Sequence, residues 1–225
     1  RLALHLSAPG GRAHRVVNLA PQNKSVRTLY HPPNMHQGGS GREFIHGLTK
    51  DRLTPAKTHA PTQTTKVTTW AVGMYNPRGG FELGHVWANP ASPDFSAVSF
   101  PEGSVSIKLL FTTATVAQVP YLKNTFTFLA DVNRPSGPPQ DVRLLQLDLA
   151  VRDTRADATS GWVFVTMIYD PEAPVATPWH RMRPTGTMWV HEPSVTPDMR
   201  AAGTRVQETY TNPAVHCSKH LGCAG

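Results

Sequence analysis

Two segments near the middle of the chain constrain its fold more than any other feature, because both alternate apolar and polar residues. The first spans residues 142–153 (VRLLQLDLAVRD), and the second spans residues 162–170 (WVFVTMIYD). A period of two is the pattern of a β-strand with one buried face. The connection between them, residues 153–161, is short enough to predict an antiparallel neighbouring pair.

The alternation also assigns a face to each side chain of this pair. The predicted apolar face carries Leu145, Leu147, Leu149, Val151, Val163, Val165, Met167 and Tyr169. The opposite face is mostly polar and carries Gln146, Asp148, Ala150, Arg152, Trp162, Phe164, Thr166 and Asp170. A sheet with two such faces packs on one side and can meet a partner on the other.

Short strand-like segments continue along the rest of the chain, at residues 67–75, 81–87, 104–112, 125–132 and 185–191. The 17 Gly and 21 Pro predict frequent turns, and one short helix is expected within residues 194–209. Together these features predict a mostly β fold, a two-layer β-sandwich of the jelly-roll kind with few short helices.

The composition of the chain changes near residue 66. Residues 1–66 are rich in Pro, Gly, His and Arg, and we expect an irregular N-terminal arm and linker packed on the main domain. Residues 67–225 are predicted to form the β-sandwich domain. Because the chain begins at Arg1 and has no signal-peptide pattern, we expect it to be a processed or truncated product.

The charge balance is basic, with 22 Lys and Arg against 15 Asp and Glu, a net charge of +7. The basic residues are scattered, and no nucleic-acid-binding motif accompanies them, so the sequence argues against a nucleic-acid partner. No apolar stretch approaches the length of about 20 residues that a membrane-spanning helix needs, so no membrane span is predicted.

The polar sheet face holds the main candidate site. If the strand at residues 104–112 neighbours the central pair, Lys108 lies near Asp148 on this face. One interpretation is a cross-strand ion pair that contributes up to about 1 kcal/mol. The other is a ligand site for a polar small molecule or glycan, formed by Lys108, Gln146, Asp148, Arg152 and Trp162, with Trp162 as the stacking platform.

A hydrolytic version of this site would use Asp148 as general acid or base and Lys108 or Arg152 to stabilise negative charge. The sequence shows no second carboxylate beside Asp148, so binding is favoured over glycoside hydrolysis. Whether the protein is an enzyme stays open.

A second candidate lies in residues 30–52, where His31, His36, Arg42 and His46 are separated by several glycines. Imidazoles are common metal ligands and acid–base groups, so these residues are candidates for a metal or ligand site. However, the spacing matches no known metal motif and no carboxylate is expected beside them, so structural histidines are favoured. No cofactor follows from this pattern.

The two cysteines, Cys217 and Cys223, lie in the segment HCSKHLGC near the C-terminal end. A disulfide that closes a short loop is favoured, and it fits an oxidising compartment. A metal site with His220 is the alternative, although C-x5-C is not a standard zinc spacing. Two free thiols are the third interpretation.

Several segments together resemble a group of uncharacterised secreted bacterial proteins: REFIHGLTKDR, WAVGMYNPRGGFELGHVWANP, FPEGSVSIKLLFTTAT, VRLLQLDLAVRD, GWVFVTMIYD and TGTMWVHEP. The resemblance covers roughly residues 28–225 and implies a secreted, periplasmic or other oxidising location. Members of the group often end in a CxxCH segment of the c-type haem kind, which implies an association with redox proteins. This chain has no CxxCH, so it offers no residues for that attachment.

The favoured function is an exported β-sandwich protein that binds, and in one version processes, a polar ligand such as a glycan on the polar sheet face. One alternative is a structural or assembly subunit that works through contacts with protein partners. Another is a metal- or haem-associated redox protein.

Overall fold

A computed structural model describes residues 4–5, 16–17, 29–30, 42–43, 45–89, 91–96, 98–133, 137–174, 177–189, 195–204 and 210–215. Its strands are β1 Leu4–His5, β2 Val16–Val17, β3 Arg42–Glu43, β4 Leu48–Thr54, β5 Val67–Tyr75, β6 Val105–Thr112, β7 Thr127–Ala130, β8 Gln140–Arg152, β9 Trp162–Tyr169, β10 Met182–Met188 and β11 Tyr210–Thr211. Its α-helices are α1 Pro77–Val86 and α2 Pro197–Ala201, and its 3-10 helices are Pro120–Leu122, Thr154–Ala156 and Pro178–Arg181.

The fold is mostly β, as the sequence predicts. Nine of the described strands form one antiparallel sheet in the order β11-β10-β9-β8-β6-β5-β4-β3, with β7 paired to β8. Strands β1 and β2 form a separate two-stranded sheet. The sandwich arrangement of two layers stays a prediction.

Strand β8 organises the centre of the sheet because it is 13 residues long and pairs on both sides. Strand β6 pairs with one edge of β8. On the other edge, β7 pairs with residues 140–143 and β9 pairs with residues 146–152. The predicted antiparallel pairing of β8 with β9 is confirmed.

A β-bulge in β8 puts Leu144, and not Leu145, on the face of Leu147. Leu110 of β6 is opposite Gln146, but the next residue, Phe111, is opposite Leu144, so Leu145 is the extra residue. Leu144 packs in the main core cluster with Phe111, while Leu145 packs with Leu110 in a second cluster. The predicted placement of Leu145 on the face of Leu147 is therefore wrong, because the bulge shifts the alternation.

Two segments differ from the sequence-based prediction. Residues 42–43 and 48–54, assigned to the irregular arm, form β3 and β4 of the main sheet. The centre of β4 is exposed and charged, with Lys50, Asp51 and Arg52, as suits a strand near the edge of a sheet. Because its centre is polar, β4 lacks the alternation of apolar and polar residues by which a strand is predicted.

The predicted strand at residues 81–87 is instead the second half of helix α1, which ends at Val86, with Trp87 as its C-cap. The preceding Asn76 caps this helix, because its Oδ1 accepts from the Gly79 N–H at 3.0 Å, and Pro77 occupies the first turn. Phe81 and His85, four residues apart, have ring centroids 4.4 Å apart on one side of the helix. Short helix α2 agrees with the helix expected within residues 194–209.

The described helices include none with the length and apolar character needed to cross a membrane.

Candidate functional site

The polar face of the sheet brings three of the predicted site residues together. Lys108 of β6 is directly opposite Asp148 of β8, which is directly opposite Thr166 of β9. Gln146 lies two residues before Asp148 on the same face. Lys108 is exposed and Gln146, Asp148 and Thr166 are partly exposed, so this part of the face is open to solvent.

Among the described residues, the carboxylate of Asp148 is hydrogen-bonded at one oxygen only. Its Oδ1 accepts a hydrogen bond from Gln146 Nε2 at 2.7 Å and another from Thr166 Oγ1 at 2.9 Å. Neither bond involves Oδ2, which makes no hydrogen bond to the described residues. Two fixed donors orient the group, and its second oxygen keeps its capacity to accept.

Lys108 pairs with Asp51, a residue that the sequence pattern does not indicate. Its Nζ lies 3.3 Å from Oδ1 of Asp51, which sits at an irregularity of β4 and also pairs with Arg52 at 3.4 Å. Gly73 of β5 is directly opposite Lys108 and has no side chain to block this reach. The backbones of Lys108 and Asp148 are cross-strand neighbours as anticipated, but the ion pair of Lys108 is with Asp51.

Arg152 and Trp162 lie opposite each other at the far end of the same face. Four residues along β8 separate Arg152 from Asp148, a distance of about 13 Å. Arg152 Nη1 pairs with Asp157 Oδ1 at 2.5 Å and donates to the Gly161 carbonyl at 2.9 Å. Through these two contacts, Arg152 stabilises the loop between β8 and β9.

Aromatic side chains accompany this end of the face. The ring of Trp162 makes an edge contact with Phe100, with centroids 5.4 Å apart. Phe164 lies between Trp162 and Thr166 on the same face, and its side chain is 39% exposed. The alternation had placed Phe164 and Thr166 on this face, so the sequence contained the signal for both, whereas the role of Asp51 depended on strand order.

The distance between Asp51 and Asp148 bears on whether they could act together as the two carboxylates of a glycosidase. Asp51 and Asp148 are on strands three steps apart, so about 14 Å separates their backbones, with Lys108 between them. Retaining glycosidases hold their carboxyl groups about 5–5.5 Å apart, and inverting ones about 6.5–9.5 Å. Asp51 is also already paired with Lys108 and Arg52, so Asp51 and Asp148 do not fit the two-carboxylate arrangement.

The histidine cluster is only partly within the described part of the chain, because His31 and His36 lie outside it. Arg42 lies on β3 opposite Thr49. No group of three or more His, Cys, Asp or Glu among the described residues could hold a metal ion. Both interpretations of the three histidines, the favoured structural one and a single metal or ligand site, therefore stay predictions.

His46 has a carboxylate partner, contrary to the expectation from the sequence. Its Nδ1 lies 3.0 Å from Glu43 Oε1, and its backbone N–H donates to Glu43 Oε2 at 2.7 Å. The Glu43 side chain is buried, and the His46 ring packs against Phe128 with centroids 4.5 Å apart. A buried carboxylate that bonds Nδ1 fixes the orientation of the imidazole ring.

The same contacts make the stability of the fold depend on pH. Burial by itself raises the pKa of the Glu43 carboxyl, but the hydrogen bonds from His46 outweigh it and lower the pKa below its ordinary value of 4.5. The ionised form is thus favoured in the folded state. Its contribution to stability is present above pH 4.5 and is lost as the pH falls through the lowered pKa.

We expect Glu43→Gln to reduce the free energy of unfolding by about 1–3 kcal/mol at neutral pH, because it removes charged hydrogen bonds in a buried place. The deficit should shrink as the pH falls below 4.5. Urea unfolding at a series of pH values measures it. Glu82→Gln on α1 is the control, since Glu82 makes no hydrogen bond or ion pair with the described residues. Parallel curves for wild type and Glu43→Gln would contradict this account.

Cys217 and Cys223 lie outside the described residues, and the disulfide between them stays a prediction. The chain matches no family model, no curated protein and no solved structure.

Proposed function

We propose that this chain is an exported protein that binds a polar ligand, such as a glycan, on the sheet face that carries Lys108, Gln146 and Asp148. The observation that carries this proposal is the geometry of Asp148. Its carboxylate is fixed by two donors through Oδ1, while Oδ2 makes no hydrogen bond to the described residues. Export is inferred from the sequence resemblance.

The chemistry of the face suits a ligand with many hydroxyl groups. A fixed carboxylate oxygen accepts hydrogen bonds, and the exposed Lys108 ammonium donates them. Phe164 and Trp162 add apolar surface at the same face, against which the flat side of a sugar ring can pack. Because the sheet already holds these groups in place, little ordering is needed on binding.

Arg152 has a supporting part in this proposal. Its guanidinium is engaged with Asp157 and the Gly161 carbonyl, so it stabilises the loop next to Trp162. The site proposed to contact the ligand consists of Lys108, Gln146 and Asp148, with Phe164 and Trp162 as its aromatic extension. We infer binding rather than hydrolysis, because Asp51, the carboxylate that pairs with Lys108, lies on a strand about 14 Å from the strand of Asp148.

A glycan array with the wild-type chain, followed by titration of the best ligand, tests the proposal. We expect Asp148→Ala to weaken binding about 10-fold to 100-fold, because a charge-assisted hydrogen bond contributes about 1.5–3 kcal/mol. Asp141→Ala is the matched control, since Asp141 is an exposed aspartate on the same strand that pairs with Arg143. Urea unfolding checks that both variants fold.

Two results would overturn this assignment. One is a glycan that still binds after the double change Asp148→Ala and Trp162→Ala. The other is an array on which the folded wild-type chain binds no glycan.

A further inference from the structure

The polar sheet face has a shallow depression next to Asp148, where two small residues are neighbours. Ser106 of β6 is directly opposite Ala150 of β8, and both are partly exposed. Lys108 and Asp148, two residues away on these strands, form the next pair on the same face. Because Ser and Ala side chains extend less from the backbone than Lys and Asp, the surface is lower over Ser106 and Ala150.

Aromatic side chains border this depression on the two flanking strands. Tyr75 of β5 is directly opposite Ser106. Phe164 of β9 is directly opposite Ala150, and its side chain is 39% exposed. Three steps between neighbouring strands separate Tyr75 from Phe164, about 14 Å between their backbones. The interval between the two rings leaves room for one sugar ring, which can pack against Phe164.

Asp148 borders the depression without an oppositely charged partner among the described residues. The ammonium of Lys108, which is directly across from it, pairs instead with Asp51 at 3.3 Å. The donors to Asp148 Oδ1 are the side chains of Gln146 and Thr166, and both are uncharged. A carboxylate held only by neutral donors is not neutralised, so it attracts a positive group of a ligand.

The basic residues of the same face are in the opposite situation. Lys108 has Asp51 as its carboxylate partner, and Arg152 has Asp157 at 2.5 Å. A ligand with an ammonium group therefore finds a carboxylate that lacks a cation. A ligand with a carboxylate or sulfate group meets Asp148 beside cations that are already paired.

We propose that the ligand of this face is an amino sugar, whose ring lies over Ser106 and Ala150 and whose ammonium donates to Asp148 Oδ2. This inference rests on the proposed function and narrows it from glycans in general to sugars with a free amine. An ammonium binds a carboxylate more strongly than a hydroxyl does, because the hydrogen bond joins two opposite charges. An N-acetylated sugar lacks that charge.

Protein NMR titration of the full chain tests this inference with methyl glycosides of the gluco and galacto series. In each series the group at C2 is a free amine, a hydroxyl or an acetamide. At about pH 6 the amine is protonated and aspartate is ionised. We expect the better of the two amines to bind about tenfold more tightly than its hydroxyl and acetamide counterparts, because its hydrogen bond to Asp148 is charged at both ends. The amide signals of residues 106, 148 and 150 should shift.

Asp148→Asn isolates the effect of the charge. The amide oxygen can still accept from Gln146 and Thr166, while an NH2 group replaces Oδ2. The variant should bind the amine and hydroxyl sugars within about twofold of each other, because the charged acceptor is lost. Asp141→Asn is the matched control, since Asp141 is an exposed aspartate on the same strand, and it should keep the preference for the amine.

Ala150→Leu tests the place of the sugar ring. The larger side chain fills the depression, so all the sugars should bind at least about tenfold more weakly. Ala91→Leu is the control, because Ala91 is exposed after α1 and away from the sheet face, and its binding should equal that of the wild type. Urea midpoints check that the variants fold, and if Ala150→Leu does not, Asp148→Asn decides.

The inference fails and the proposed function stands if the hydroxyl or acetamide sugars bind as tightly as the amines and Asp148→Ala weakens them. It also fails if Asp148→Asn keeps the preference for the amine, or if folded Ala150→Leu binds like the wild type. Binding of none of these sugars at millimolar concentration overturns the inference, and the glycan array then shows whether the proposed function fails with it.

Discussion

Leu144→Ala and Leu145→Ala are each expected to lower the free energy of unfolding by about 2–5 kcal/mol, although the two residues are neighbours in the sequence. Both side chains are 0% exposed. The bulge in β8 places Leu144 beside Phe111 in the main core cluster and Leu145 beside Leu110 in the second one. Each truncation therefore opens a cavity in a different part of the core.

Urea unfolding of the single and double variants checks this expectation. Because the clusters differ, the two losses should add to within about 0.5 kcal/mol, and the double variant is expected to approach the whole stability of an ordinary domain. Leu129→Ala on β7 is the control, since that leucine is 60% exposed and should change stability by less than about 0.5 kcal/mol. A loss below about 1 kcal/mol at either Leu144 or Leu145 would contradict the burial of that leucine in its core cluster.

Gln63→Ala is expected to cost about 2–4 kcal/mol, because this buried side chain holds the loop between β4 and β5 through three hydrogen bonds. Its Oε1 accepts from the His59 backbone N–H at 3.0 Å. Its Nε2 donates to the carbonyls of Pro55 and Thr65, both at 2.9 Å. Alanine leaves these backbone groups without their partner in a place that excludes most water.

Gln118→Ala is a closely matched control for this change. The Gln118 side chain also makes three hydrogen bonds, to the backbone N–H and hydroxyl of Thr115 and to the hydroxyl of Thr65, but these are exposed. Water can replace them, so the loss should stay below about 1 kcal/mol. Equal losses for the two variants in urea unfolding would show that burial of Gln63 has no energetic consequence. The Gln63 variant should also disturb the surface pocket that His59, Ala60 and Pro61 of the same loop help to line.

The elements that the sequence predicts best are those with a buried face and a regular alternation. Strand β5 spans the predicted residues, and β6, β8 and β9 differ from their predicted ranges by no more than two residues at either end. Alternation failed for β4, whose centre is charged and exposed, and for α1, where a helix cap at Asn76 overrides an apolar segment. In β4 the pairing with β5 forms a strand without an apolar alternation, and in α1 the cap forms a helix in spite of one.

At the candidate site, too, some features follow from the local sequence pattern and others from tertiary contacts. Alternation alone placed Gln146, Asp148 and Thr166 on one face, and the structure holds all three there in direct contact. The ion pair of Lys108 with Asp51 could not be predicted, because it depends on which strands are neighbours and on the missing side chain of Gly73 between them.

By itself, the sequence determined that the protein is mostly β, where its central strands lie and, apart from the bulge at Leu145, which side chains of β8 and β9 share a face. These properties follow from side-chain periodicity, which acts over a few residues. Only the tertiary structure decided the order of the strands, the bulge that puts Leu144 on the face of Leu147, and the pocket lined by His59, Tyr121 and Asp170. That pocket joins segments near residues 60, 121, 170 and 214, so it exists only once contacts between distant parts of the chain have formed.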